Sequence, residues 1–275
     1  MATGRTTIQA TTRQKTRKGR IVGIATAVNN RWCLERLSDA ELDARVRVRQ
    51  SVWEDCEEEK CMEGDGIVPG PLYWMQNHTK THDEHWLEKG TKPDSPFPDK
   101  PYFPWLVWHL MNDRRQFIPK SREMMATWLL IGYGAWKAQF FPTVQVIVQT
   151  QKDEKVVDLI KGRGTPGYAR TLYEQQPAWL KARHPLTKAM KDLPEDLISW
   201  ANGSSIRGVP KGADQIRQYH PTIVIFDEAA HLDEFRESYG AAEPVCSQII
   251  AVSSAAPSFF GDICVEAWTA AHNPR

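Results

Sequence analysis

The sequence predicts an α/β domain: a mostly parallel central sheet flanked by helices, behind an irregular N-terminal extension. Three observations carry this. Val144–Gln149, Thr222–Phe226 and Gln248–Val252 are short runs of β-branched and apolar residues, the pattern of strands covered on both faces. Segments of helical periodicity, Thr127–Gln139, Lys152–Lys161 and Phe235–Tyr239, alternate with them. The third is composition: 275 residues, 41% hydrophobic and 25% charged, with a mean hydropathy of −0.51 and eleven tryptophans. That describes a globular chain with a sizeable core, not a disordered or fibrous one.

The same arithmetic excludes several classes. Thirty-five basic against 34 acidic residues leave a net charge of +1, so any nucleic-acid surface must be local. No run approaches the ~18 apolar residues of a membrane helix, and no membrane role is expected. The N-terminus is polar and basic, unlike a secretory signal. Five cysteines, an odd number in a long chain, point to a reducing compartment rather than a disulfide scaffold.

In chain order, residues 1–20 carry Arg5, Arg13, Lys15, Arg17, Lys18 and Arg20 and no acid, and read as a flexible basic arm, either solvated or touching nucleic acid. Residues 21–112 form a helical and irregular portion. Ser38 and Glu41 have the spacing of a capping box, opening a helix that runs to about Trp53. It meets Glu54, Asp55, Glu57, Glu58 and Glu59, read as a solvated face. Residues 63–104 read as loops around one short helix, broken by Pro93, Pro96, Pro98, Pro101 and Pro104. A helix fits Trp105–Asn112. The core then occupies 113–275: a strand at Gln116–Pro119, the helices and strands above, and a hairpin at Asn202-Gly203 between Ile198–Ala201 and Ser205–Arg207. No internal repeat is visible.

The sharpest chemical signal is Thr222-Ile-Val-Ile-Phe-Asp227-Glu228, a buried strand with two acids at its carboxyl end. That edge of an α/β sheet is where ligands bind. The first acid suits Mg²⁺, and the second can polarise an attacking water, as in the Walker B arrangement of nucleotide hydrolases. A solvated acidic turn is the plainer alternative. No intact G-x-x-x-x-G-K-S/T loop exists. What stands between a strand and a helix is Lys120-Ser121-Arg122-Glu123-Met124-Met125-Ala126-Thr127. The hydroxyl is in place at Thr127, Met125 and Ala126 replace glycine and lysine, and Lys120 opens the loop instead. Backbone amides at a helix N-terminus can still cradle phosphate. Ala251-Val252-Ser253-Ser254-Ala255 ends the next apolar strand with two hydroxyls.

This order of motifs, from Tyr73-Trp-Met-Gln-Asn-His-Thr-Lys and the Phe97–Trp108 stretch through KSREMMAT, VIVQT, IVIFDEAAH and AVSSAAP, resembles the ATPase half of phage terminase large subunits. The resemblance covers roughly residues 70–260 and implies a P-loop NTPase fold, incomplete at its C-terminus. It implies Mg²⁺-dependent ATP hydrolysis coupled to translocation of double-stranded DNA into a capsid, in the host cytoplasm. Lys120 would contact the phosphates, Arg122 would be a γ-phosphate contact, Thr127 and Asp227 would hold Mg²⁺, and Glu228 would be the catalytic carboxylate. Residues 120–127 as a whole would bind nucleotide. Ser253 and Ser254 would couple hydrolysis to DNA movement. The aromatic stretches before the loop would pack near the adenine. The implied partners are portal protein, the terminase small subunit and further copies in a ring. Met125 departs from the family's glycine, and Glu123 puts a carboxylate where glutamine is more usual. The family's nuclease domain has no counterpart here, since only Asp262 and Glu266 follow Ser254 as acids; nuclease activity is not expected.

Two rivals remain: a helicase-like DNA-dependent ATPase, from Asp227-Glu-Ala-Ala-His231, and a truncated nucleotide- or DNA-binding remnant without turnover. Cys56, Cys61, His78, His82 and His85 raise zinc as a weaker idea. The stretch Lys152–Arg217, a basic surplus with Gly162, Gly164 and Gly167, reads either as a phosphate-gripping patch or as solvated surface.

Overall fold

The computed structural model describes residues 12–15, 21–24, 38–83, 88, 90 and 92–272. Contacts divide the chain into two units, 1–55 and 56–275. In the first, β1 (Thr12–Lys15) pairs antiparallel with β2 (Ile21–Ile24). The rest of the expected basic arm, with Arg5, Arg17, Lys18 and Arg20, lies outside the described residues.

Helix α1 (Asp39–Glu63) begins where the capping box places it. The Ser38 amide and hydroxyl donate to Glu41 Oε2 at 2.8 and 2.6 Å, and the Glu41 amide returns a 3.3 Å bond to Ser38 Oγ. The helix does not stop near Trp53 but continues through the acidic run to Glu63. Glu, Lys and Met are good helix formers, and Lys60 pairs with Glu57 one turn back at 2.7 Å. Nor is the run a solvated face throughout. Glu57 is buried and accepts the Tyr73 hydroxyl at 2.7 Å, while Glu58 receives Arg183 and the His184 ring.

The second unit is built on a six-stranded sheet in the order β5 (Arg115–Pro119), β10 (Gln248–Ser253), β9 (Ile223–Asp227), β6 (Gln145–Gln149), β8 (Ser205–Val209), β7 (Leu197–Ser199). The first five are parallel to their neighbours; β7 turns back antiparallel on β8 through the expected Asn202-Gly203 hairpin. β3 (Lys80–His82) and β4 (Asp94–Pro96) form a separate antiparallel pair within the proline-rich stretch. α2 (Gly70–His78) is the expected short helix, and α3 (Phe103–Asn112) starts slightly earlier than the pattern suggests, with a proline in its first turn.

Alternation along the strands sorts the core into two faces. Val146, Val148, Ile206, Ile223, Ile225, Ile250 and Val252 join one cluster, and Ile147, Val209, Val224, Phe226, Ile249 and Ala251 the other. The first face is covered by α4 (Ala126–Phe140), which is buried almost all round. Two glycines allow that. A Cβ on Gly134 would come within 3.0 Å of Val146 and 3.2 Å of Ile225, and one on Gly132 within 2.3 Å of Met75 Sδ. The second face is covered by α8 (Ala213–Arg217), α9 (Phe235–Ala242) and the start of α10 (Phe259–His272), with an aromatic cluster of Phe117, Phe226, Phe235, Tyr239 and Phe260. Between β6 and β7 lie α5 (Asp153–Ile160), α6 (Tyr168–Glu174) and α7 (Ala178–Arg183). Among the described residues, no helix is long and apolar enough to cross a membrane.

Candidate nucleotide-binding site

The loop 120–127 lies between β5 and α4, the strand-to-helix turn its sequence requires. The Lys120 amide donates to Ser253 O at 2.9 Å, tying the loop's first residue to the end of β10. The Tyr102 hydroxyl donates to Met124 O, so the Phe97–Trp108 stretch does touch the loop. Trp105 and Trp108 on α3 are 65% and 55% exposed, while Trp74 of the other aromatic stretch is buried in the core, so its ring is not free to meet a base. Lys120 is half-buried; Ser121, Arg122 and Glu123 are exposed; Met124 and Met125 are half-buried and Ala126 is buried.

The backbone of this loop is strained. Glu123 and Met125 have φ of 61° and 53°, the left-handed region. Met125 therefore adopts the conformation that a glycine favours, at a cost of roughly 1–2 kcal/mol. Of the five described non-glycine residues with positive φ, three are Glu123, Met125 and Glu228. Strain gathered in this way marks functional loops.

The acids stand at the centre of the sheet's carboxyl edge. Thr127 Oγ1 donates to Asp227 Oδ1 at 3.0 Å, joining the start of α4 to the end of β9. Since β10 lies between β5 and β9, this bond reaches across one strand. Asp227 is only 7% exposed. Burial pushes its carboxyl up from the ordinary aspartate value, and the Glu228 charge adds to that; the Thr127 bond and the charges of Lys120 and Lys155 pull the other way. Glu228 follows in a left-handed conformation, φ 55° and ψ 40°. Lys155 Nζ, from the first turn of α5, stands 3.4 and 3.3 Å from its two oxygens. Nothing in the sequence singles out Lys155; only the fold brings the helix after β6 alongside β9. Among the described residues Lys120 makes no ion pair with Asp227, whose bonded partner is Thr127, and it acts on the carboxylate only through space.

At the end of β10, Ser253 is fully buried and Ser254 Oγ lies 3.1 Å from His231 Nε2. That bond links the turn after the two acids to the neighbouring strand end. A cleft of about 650 Å³ opens there, lined by Gln151, His231, Asp233, Arg236, Ser258 and Phe259 among others. Its walls belong to the second core face, so it is separate from the Thr127–Asp227 pair.

Thr127 and Asp227 offer the hard oxygen donors, one hydroxyl and one carboxylate, that suit Mg²⁺ held jointly with substrate phosphates. Zinc finds less support. Cys61 is buried, with its thiol pushed up to about 12 by desolvation first. His78 faces Glu57, and His82 pairs with Asp94 at 2.9 Å. His85 lies outside the described residues, among which no group of three His, Cys, Asp or Glu converges. The basic stretch is largely paired. Arg163 meets Glu195, Arg207 meets Asp196, and Lys161 Nζ turns inward to Leu193 O. Two of its glycines serve packing, since a Cβ on Gly162 would fall 2.0 Å from Thr165 O and one on Gly167 2.7 Å from Asp158 O, while Gly164 stands in open space with φ of 109°.

The chain matches no protein-family model and no curated protein in sequence. It is similar in fold to the large terminase ATPase domain of Thermus phage P74-26, at TM-score 0.40 and 15% identity, over 66% of this chain and 72% of that one. A single-residue variant of that domain matches at the same TM-score and identity, over 66% and 73%.

Proposed function

We propose that this chain is the ATPase motor domain of a phage DNA-packaging terminase, hydrolysing Mg²⁺-ATP at the edge where β5, β10 and β9 end. The observation that carries this reading is the Thr127–Asp227 bond. It joins a strained strand-to-helix loop to the carboxylate ending a fully buried strand. The loop's backbone amides and Lys120 receive the phosphates, and Arg122, exposed beside them, meets the outermost one. Bound Mg²⁺ would neutralise charge on the phosphate oxygens. Thr127 and Asp227 hold it, and Asp227, already desolvated, has the hydroxyl as its partner in the chain. Glu228 orients the attacking water and accepts its proton. Lys155 sits on the same carboxylate, so Glu228 has to share or release that ammonium when it engages water. The His231–Ser254 bond gives β9 and β10 a direct link through which hydrolysis moves the DNA-contacting surface. In this reading double-stranded DNA is the cargo, and portal protein, a small terminase subunit and further copies in a ring are the partners, in the host cytoplasm.

The test is ATP hydrolysis by the purified chain, with and without double-stranded DNA and portal protein. Hydrolysis that depends on Mg²⁺, rises with DNA and is lost in Lys120→Ala supports the reading; recovery in Lys120→Ala combined with Ala126→Lys confirms that the lysine is displaced. A chain that neither binds nor hydrolyses ATP overturns it.

A further inference from the structure

Seven buried side-chain polar atoms have no hydrogen-bond partner among the described residues. Three of them, Gln149 Oε1, Thr150 Oγ1 and Ser253 Oγ, stand at the carboxyl ends of β6 and β10, on either side of β9. Strand alternation separates the three. Gln149 shares the face of Ile147, and Ser253 that of Ala251, both in the second core cluster. Thr150 shares the face of Val146 and Val148, which is the α4 face, where Thr127 meets Asp227. Parallel pairing sets Gln149 opposite Phe226, so Thr150 stands beside Asp227.

Thr150 is fully buried, yet its hydroxyl bonds to nothing described. A valine would fill nearly the same shape without stranding a polar group, and a stranded buried hydroxyl is costly. The partner that would repay it has to come from outside the chain and be small and polar. A carboxylate lies next to it, so a cation's hydration shell fits. Mg²⁺ sheds its waters reluctantly, and those waters need acceptors.

We propose that Thr150 is a positioning residue for the metal, its hydroxyl accepting a water of the Mg²⁺ shell beside Asp227. This rests on the reading of the site as one for Mg²⁺-ATP. Buried one residue past the end of β6, the hydroxyl would help to order that shell when metal and nucleotide bind.

The experiment compares wild type, Thr150→Val and Thr150→Ser in binding a fluorescent ATP analogue, in Mg²⁺ and in EDTA, with thermal melting of each. Thr150→Val is expected to lose about tenfold in Mg²⁺-dependent affinity, keep wild-type binding in EDTA, and melt no lower than wild type. Thr150→Ser is expected to retain the Mg²⁺ effect. Wild-type Mg²⁺-dependent binding by Thr150→Val overturns the inference alone, and so does a lowered melting point with both affinities reduced alike. Wild type that binds no nucleotide overturns the site reading, and this inference with it.

Discussion

The carboxylates of Glu57 and Glu58 face cations and hydrogen-bond donors: Lys60, the Tyr73 hydroxyl and the His78 ring around the first, Arg183 and the His184 ring around the second. At the carboxyl edge of the sheet, Asp227 is buried next to another carboxylate and near left-handed residues, and among the described residues its bonded partner is one hydroxyl while other hydroxyls at the strand ends have none. Both places bury charge in one unit. The first places opposite charges and donors around its acids, as a structural network does. The second leaves its polar groups open to something not in the chain. An arrangement that costs stability and serves no packing purpose points to a ligand more firmly than any single motif here.

The largest effect that would break this contrast comes from Glu228→Gln. The amide keeps the shape but cannot accept the proton of water, so hydrolysis is expected to fall at least ~100-fold. Nucleotide affinity should stay within a few-fold, because in the proposed site Glu228 follows the acid assigned to the metal and need not hold the phosphates. Turnover by the variant at the wild-type rate, measured as phosphate release, would remove Glu228 from the chemistry.

Glu58→Ala tests the other region. It removes the carboxylate that the His184 ring and the Arg183 guanidinium share in a partly buried place. Discounting for their partial exposure, the cost is about 2 kcal/mol, or roughly 4–8 °C in Tm for a unit of this size. Nucleotide binding should be unchanged. A variant that melts like wild type but loses ATP affinity would reverse the assignment of the two regions.

Legibility differs between these regions for the same reason that their chemistry differs. The acids at 227 and 228, the loop at 120–127 and the serines at 253 and 254 stand at strand ends, and strand ends are readable from apolar runs. The structure brings Thr127 to Asp227 and ties the Lys120 amide to the end of β10. Thr150 and Lys155 were not legible as site residues, because their nearness to Asp227 and Glu228 depends on β6 pairing with β9, a contact between segments far apart in sequence. The sequence reads the Glu57–Glu58 network as solvent-facing because its partners lie on α2 and at the end of α7, the latter an element the sequence pattern does not reveal. Helices α6 and α7 are short, and their apolar positions are too few to set a period.

The two regions should also titrate with opposite sign. Burial lowers the pKa of His78 and His184 in the fold, against the pull of Glu57 and Glu58. The unfolded chain then binds more protons just below the ordinary histidine value of about 6.5. Their contribution is present above that value and is lost as pH falls toward the folded one. Asp227 is raised instead, so its contribution is present below the ordinary aspartate value and lost as pH rises; at neutral pH its charge destabilises. Without nucleotide or metal, Asp227→Asn is therefore expected to raise Tm at pH 7. The gain should shrink on acidification. His184→Gln should instead flatten the acid side of the melting profile. Thermal melts from pH 4 to 8 check both, and a lower Tm for Asp227→Asn at neutral pH would mean that the carboxylate is stabilising after all.

The smallest effect lies in the loop itself, at Met125→Gly. With φ at 53°, methionine here bears a left-handed penalty of roughly 1–2 kcal/mol that glycine avoids. Two terms oppose the gain. Glycine loses more chain entropy on folding, by roughly 0.5–1 kcal/mol, and the half-buried methionine side chain surrenders its packing against the core. Stability should therefore change little, within about 1 kcal/mol of wild type. Nucleotide affinity is a different matter. In the proposed site, a Cβ on the residue just before α4 stands where loop amides would turn toward a phosphate, and removing it would let the backbone approach. Affinity is expected to rise a few-fold while Tm stays nearly constant. That separation is what a loop shaped for an anion should give. A strained turn with no ligand would respond in Tm alone, and equal ATP affinity in the two proteins would place phosphate recognition elsewhere on the edge.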